Sequence, residues 1–246
     1  MKIALCLSGL PRFIESAFYN IQNNIIQDYN VDVFIHTWYD KNKPMRKDGS
    51  SEWSSLIFDE DPTIKIRQLY NVKGIHVEKP IDFFKNSVIR DYNYKPTLEK
   101  YMPHFITEEG QNYFINMIHS MWYSIHKSNL LKIEYEKENH FEYDVVVRCR
   151  FDSIFHSPIK FENYDLNKIN VSHCAGTEDF PQVRDWFAFS NSKNMDQYAY
   201  LINDLKLLND QVSNTERANE IFLHQHLKNK KIQVNCYEFV SRFIRN

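Results

Sequence analysis

Ile3-Ala4-Leu5-Cys6-Leu7-Ser8-Gly9-Leu10-Pro11-Arg12 opens the chain, and Val31-Asp32-Val33-Phe34-Ile35-His36-Thr37-Trp38 follows after one helical pattern. The first run is apolar at successive positions, as a strand covered on both faces of a parallel sheet requires. Between the two runs, Phe13, Ala17, Ile21 and Ile25 recur at near-helical spacing and predict a helix over Phe13–Ile26. Strand, helix and strand in this compass form a βαβ unit. Short connections and fixed handedness extend such a unit into a doubly wound α/β sheet, mostly parallel, with helices on both faces.

Further along, Ile64–Tyr70 predicts a short helix, and Ile75-His76-Val77-Glu78, ahead of Pro80, a third strand. Glu108–Asn139 predicts a long helix, with Phe114, Met117, Ile118, Met121, Ile125, Leu130, Leu131 and Ile133 as its apolar stripe. Thr107 suits its N-cap, because a hydroxyl can accept from an unpaired first-turn amide. Glu108 and Glu109 then meet the positive end of the helix dipole. Asp144–Arg148 reads as a strand running into Cys149-Arg150-Phe151-Asp152. Ile169–Ser172, Trp186–Phe189 and Ile232–Cys236 complete the strands, and Met195–Leu208 and Glu216–Leu227 the helices. The expected organisation is one domain over residues 1–246, with residues 39–106 as a variable insert. Residues 39–60 are polar and of a length usual for a functional or mobile loop.

Composition removes several function classes. The 246 residues include only 5 glycines, and no arrangement of them writes a GxGxxG or a GxxxxGK[ST]. The glycine fingerprint of dinucleotide sites and the P-loop are therefore excluded. Lys+Arg number 30 against 32 Asp+Glu, so the basic excess that coating nucleic acid demands is missing. No run of about 20 apolar residues spans a bilayer. The opening apolar run stops too soon, at Ser8-Gly9 and Pro11, for a secretory signal. Cys6, Cys149, Cys174 and Cys236 are scattered, which reads as free thiols in a reducing cytoplasm, the host's if the source is viral. No Gly-x-Ser-x-Gly, His-Glu-x-x-His or Cys-x-x-Cys appears. His224 and His226 point apart on a helix, so they make a poor metal pair.

In open α/β sheets, ligands bind beyond the carboxyl ends of the strands. Those ends carry Ser8-Gly9-Leu10-Pro11-Arg12, His36-Thr37-Trp38 and Arg148-Cys149-Arg150-Phe151-Asp152. An extended chain would put Arg148, Arg150 and Asp152 on one face. Two guanidinium groups beside a carboxylate suit the oxygens of a diphosphate. A structural ion-pair cluster capping the sheet fits the same pattern. Asp152 could also ligate a divalent cation, although it stands alone and the arginines would compete.

These residues resemble those of the small GT-A-type nucleotide-sugar glycosyltransferases of bacterial surface-glycan clusters, phages and large DNA viruses. The resemblance lies in four stretches: Ile3–Arg12, Val31–Trp38, Met121–Glu136 with Tyr143–Asp152, and Asp185-Trp186-Phe187-Ala188-Phe189-Ser190 followed by Met195, Tyr198 and Glu220. It implies a sugar nucleotide, with a UDP-type donor among the options, at the carboxyl edge of the sheet. Ser8, Gly9 and Arg12 would face the nucleotide or its phosphates, with His36 and Thr37 beside them. Arg148 and Arg150 would lie at the diphosphate, and Asp152 would take the place of the metal or sugar-phosphate carboxylate. The implied cofactor is a divalent cation, manganese or magnesium.

Transfer to a hydroxyl with inversion needs a base, and the departing diphosphate needs positive charge. Asp185 is the first candidate base and Glu220 the second; a turn acid paired with Arg184 and a helix-surface carboxylate are their structural alternatives. The expected reaction moves a sugar to a hydroxyl of a glycan or lipid-linked saccharide, as in polysaccharide biosynthesis. A phage-type enzyme acting on hydroxymethylated DNA bases, touching nucleic acid through Lys41–Lys47 and Lys228–Lys231, is the alternative within enzymes. A non-catalytic nucleotide- or sugar-binding domain is the alternative outside them.

Overall fold

The computed structural model describes residues 1–42, 61–86, 107–176, 181–212 and 219–243. Strand β1 (Lys2–Gly9) leads through helix α1 (Ile14–Ile21) and a π turn over Gln22–Ile26 to β2 (Asn30–Trp38). Helix α2 (Pro62–Leu69) starts where the Asp61 carboxylate accepts from the Thr63 amide and proline occupies the first turn; it feeds β3 (Val72–Glu78). Helix α3 (Phe83–Asn86) precedes the long α4 (Glu108–Asn139), whose Thr107 cap accepts from the Gly110 amide at 3.1 Å, as the sequence predicts. Then follow β4 (Val145–Cys149), β5 (Ser153–Phe155), β6 (Ile169–Val171), β7 (Cys174–Gly176), β8 (Pro181–Val183) and β9 (Ala188–Ser190). Helices α5 (Ser192–Ala199), α6 (Leu201–Gln211) and α7 (Asn219–Asn229) and strands β10 (Val234–Cys236) and β11 (Val240–Phe243) close the order.

The central sheet has seven strands in the order β10-β6-β9-β4-β1-β2-β3. All neighbours are parallel except β9, which runs against both β4 and β6. The α/β class and the mostly parallel, mixed sheet are therefore as expected. Side chains alternate across its central strands β1, β2 and β4. Ala4, Cys6, Phe34 and Val146 pack with Ile118, Trp122 and Ile125 of α4 and with Met195, Tyr198 and Leu205 of the next two helices. Ile3, Leu5, Leu7, Val33, Val145 and Val147 pack instead with Ile14, Ala17 and Ile21 of α1 and Ile66 of α2. Each such aliphatic side chain contributes about 1.5–3 kcal/mol on burial, so helices are held on both faces.

Four departures from the sequence reading have physical causes. The chain does not stay extended after Cys149: β4 ends there and residues 151–152 turn, so Arg148, Arg150 and Asp152 do not line one strand face. Met195–Leu208 is not one helix, because the chain restarts at Tyr200, whose amide is shared between the Asp196 and Gln197 carbonyls. The small sheets β5–β11 and β7–β8 use three- and four-residue strands, too short to display a period of two. Finally, Cys174 and Cys236 form a disulfide across 62 residues, with Cα atoms 5.7 Å apart, whereas Cys6 and Cys149 are free and buried. Pairing of β10 with β6 sets Cys236 beside Val171, and the turn at His173, with φ 138°, swings Cys174 back toward it. The expectation of four free thiols is corrected for this pair.

Most of the variable region, residues 43–60 and 87–106, lies outside the described residues, including Lys43–Lys47. Its described part supplies the sheet's edge strand β3. Among the described residues, no helix is long and apolar enough to cross a membrane.

Candidate functional site

Chain winding decides where a site can form. From β1 the strands step one way to β2 and β3, whereas β4 lies on the other side of β1. Such a reversal opens a crevice at the carboxyl ends of the two diverging strands. The parallel registers Cys6↔Arg148 and Ser8↔His36 put these side chains on the face that α4 covers. Antiparallel β9 starts opposite Arg148, at Ala188, so the residues before it, Arg184, Asp185 and Trp186, arrive at the same edge.

The cations at this edge are satisfied very unequally. Arg150 donates through Nε and a terminal nitrogen to both oxygens of Asp152, at 2.8 and 2.7 Å, and lies over the Phe243 ring. Burial lowers the Arg150 pKa, but the Asp152 bonds and charge outweigh it and raise the value overall. Arg184 pairs with Glu220 at 2.6 Å and lies against the Trp186 ring, while its Nε has no partner among the described residues. Arg148 is only 3% exposed. One terminal nitrogen donates to the Trp186 carbonyl, and its Nε has no partner among the described residues. Arg12 makes no side-chain hydrogen bond or ion pair to any described residue. Its pKa is depressed by burial first and then by the Arg150 charge, with Asp152 as a partial counterweight.

Asp185 sits among these cations, 5% exposed. Burial first, then the nearby Glu220 charge, raise its carboxyl pKa to about 6, against the pull of Arg148 and Arg150. The two candidate bases are thus in one electrostatic neighbourhood, but Glu220 is committed to Arg184. Tyr198 from α5 completes the group; its buried hydroxyl has no partner among the described residues. A cavity of about 10 Å³, the lower limit for one water, lies between Arg148, Tyr198, Cys6 and Asn129.

The β1 turn behaves differently from the sequence expectation. Gly9 takes φ +102°, which favours glycine. Its amide donates to Ser124 Oγ at 2.7 Å and its carbonyl accepts from Thr37 Oγ1 at 2.8 Å. The Gly9 amide is therefore engaged within the protein. Ser8 is buried with a partnerless Oγ among the described residues. The N-terminus of α1 lacks a side-chain cap, since Phe13 in the left-handed region precedes it. His36 and Thr37 have no exposed surface, so they hold the turn from within.

Of the ten residues singled out, Arg12, Arg148, Arg150, Asp152, Asp185 and Glu220 form one cluster, with Ser8 and Gly9 on the adjoining strand end. His36 and Thr37 stand behind Gly9. The divalent cation does not fit the donor set described: both Asp152 oxygens accept from Arg150, and no group of three His, Cys, Asp or Glu side chains among the described residues could hold a metal. Sequence reasoning missed Ser124 and Glu78 as members of the site, and set Arg184 beside Asp185 where the structure pairs it with Glu220. Ser124 alone left a signal, a small polar residue facing inward within the apolar stripe of α4. The chain matches no protein-family model, and no curated protein matches it.

Proposed function

We propose that this chain is a GT-A-like glycosyltransferase that moves a sugar from a nucleoside-diphosphate sugar to a hydroxyl of a glycan or lipid-linked saccharide. One observation carries the reading: at the winding reversal the half-buried Arg12 has no described partner, and the Nε atoms of Arg148 and Arg184 have none either, beside a buried carboxylate. Buried cations that only brace a scaffold are expected to be paired, because an unpaired one is costly. Surplus donors suit a diphosphate, whose oxygens guanidinium groups match well.

In the inverting course, Asp185 takes the acceptor hydroxyl proton as that oxygen bonds to the anomeric carbon. The bond from that carbon to the diphosphate oxygen breaks, and the electron pair leaves with the diphosphate. Arg12 and Arg148 meet the charge that develops there. Asp152 fixes the Arg150 fork, and Glu220 acts on Asp185 through its charge. Half-buried Trp186, flanked by Arg184 and Phe243, offers a ring face to a sugar.

The mutual satisfaction of Arg150 and Asp152 favours a second reading, a nucleotide-binding domain without transfer. Transfer assays with nucleotide sugars separate the two. Asp185→Asn is expected to keep donor binding and lose at least about a hundredfold in rate, the range of general-base contributions. Transfer at the wild-type rate in that variant would remove Asp185 from the mechanism. For DNA, Lys230 is already paired with Asp204 at 3.0 Å, which weakens one of the two basic stretches.

A further inference from the structure

Three hydrogen bonds link Gly9 to the edge strand. The Gly9 amide donates to Ser124 Oγ at 2.7 Å, Ser124 Oγ lies 2.8 Å from His36 Nδ1, and His36 Nε2 lies 3.0 Å from Glu78 Oε2. Glu78 also receives the Tyr123 hydroxyl at 3.2 Å and lies 3.2 Å from His76 Nε2. One arrangement of protons satisfies the whole series. Neutral His36 carries its proton on Nε2 and donates it to Glu78; Ser124 donates to Nδ1 and accepts from Gly9. The alternative acceptor for the Ser124 hydroxyl, the His36 carbonyl, is farther away at 3.2 Å. Burial supports the neutral ring, since it is the main cause that lowers the His36 pKa to about 4.

Serine, histidine and glutamate in this connectivity suggest a nucleophile with its base and acid. Burial argues against that use. Ser124 and His36 are both 0% exposed, and a Ser124 lone pair is taken by the Gly9 amide. The series instead ends on a backbone group at the mouth of the crevice, whose φ of +102° needs holding.

We infer that Ser124, His36 and Glu78 form a directed relay that fixes the Gly9 turn from the far side of β2, and that they are positioning residues for the nucleotide. The positioning part rests on the donor reading above; the relay itself does not. Two readouts keep them apart: amide hydrogen exchange at Gly9, and binding of UDP and GDP by the full chain.

Ser124→Ala keeps the helix, since alanine has the best helix propensity. It is expected to speed Gly9 exchange and weaken UDP or GDP binding, each by about tenfold, the equivalent of one hydrogen bond. Glu78→Gln, a strand away from Gly9, is expected to speed Gly9 exchange about threefold, on the scale of a weakened hydrogen bond, with the amides of Ile3–Leu7 unchanged. Unchanged Gly9 exchange in Ser124→Ala would overturn the relay, as would uniform acceleration of all β1 amides in Glu78→Gln. Faster exchange with unchanged nucleotide affinity would overturn the positioning role. If the wild-type protein binds neither UDP nor GDP, the donor reading falls and exchange alone decides the relay.

Discussion

Two buried cation sites lie on the same side of the central sheet and differ in what surrounds them. Lys132 of α4 is 0% exposed, yet its ammonium donates to Glu136 at 2.9 Å, Ser192 at 2.6 Å and Asp196 at 2.6 Å. Its partners are themselves occupied: Glu136 also accepts from Ser192 and from the Tyr143 amide, and Asp196 from Asn129. Every donor an ammonium owns is used. At the carboxyl ends of β1 and β4, by contrast, Arg12 has no described partner and Arg148 keeps an idle Nε. A charge buried for architecture is enclosed by its complement. On the proposed function, the arginine site leaves part of its complement for a ligand to supply.

That contrast predicts opposite responses to mutation. Lys132→Met should have the largest effect on stability, because it leaves Glu136 and Asp196 without their cation. Breaking such a buried pair costs about 3–5 kcal/mol, readable in urea unfolding, and nucleotide affinity of the folded protein should not change. Asp152→Asn should come next. Weakening the two charge-assisted bonds to Arg150 costs about 1.5–3 kcal/mol, and transfer should fall sharply as the Arg150 fork loosens. Full activity in that variant would place the pair with the scaffold, alongside Lys132.

Asp185 gives a pH-dependent version of the same test. Its folded-state pKa, about 6, lies above the unfolded value of about 3.9. Between those values the folded state binds more protons, so stability falls as pH rises through the window and levels off above it. Asp185→Asn should flatten that slope in melting curves. Transfer should run the other way, rising through about pH 6 as the carboxylate becomes a base. Glu220→Gln should move this limb to lower pH, because the neighbouring negative charge is gone.

The smallest stability effect belongs to Arg12. Arg12→Ala removes a cation that has no described partner and that burial and the Arg150 charge disfavour, so unfolding free energy should not fall below that of wild type.

Much of the scaffold was readable because it rests on periodicity. The apolar run at Ile3–Leu7, the helical spacing from Phe13 and the Thr107 cap each reflect one local cause, and each appears where expected. The candidate cluster was readable only as a set of residue types. Arg148, Arg150 and Asp152 were visible as a motif, but the turn after Cys149 that lets Arg150 clasp Asp152 depends on tertiary packing of Phe151 beneath the sheet. The burial of Lys132 had no complete local signal, since only Glu136 is near in sequence and its other two partners lie 60 and 64 residues away. The Cys174–Cys236 bridge was illegible for the same reason: it depends on the β6–β10 pairing, not on local spacing. Ser124 left only a polar position within the α4 stripe as a signal, and its role exists only once β1, β2 and α4 meet.

The most direct test of the account is a calorimetric titration of wild-type protein and Arg12→Ala with UDP, GDP and the matching nucleosides. A diphosphate is expected to bind wild type and its nucleoside far more weakly, and Arg12→Ala to lose at least about tenfold in affinity for the diphosphate, a shift of about 1.4 kcal/mol, with no loss of melting temperature. Equal affinity for diphosphate and nucleoside, or an Arg12→Ala variant that binds as wild type does, would contradict it.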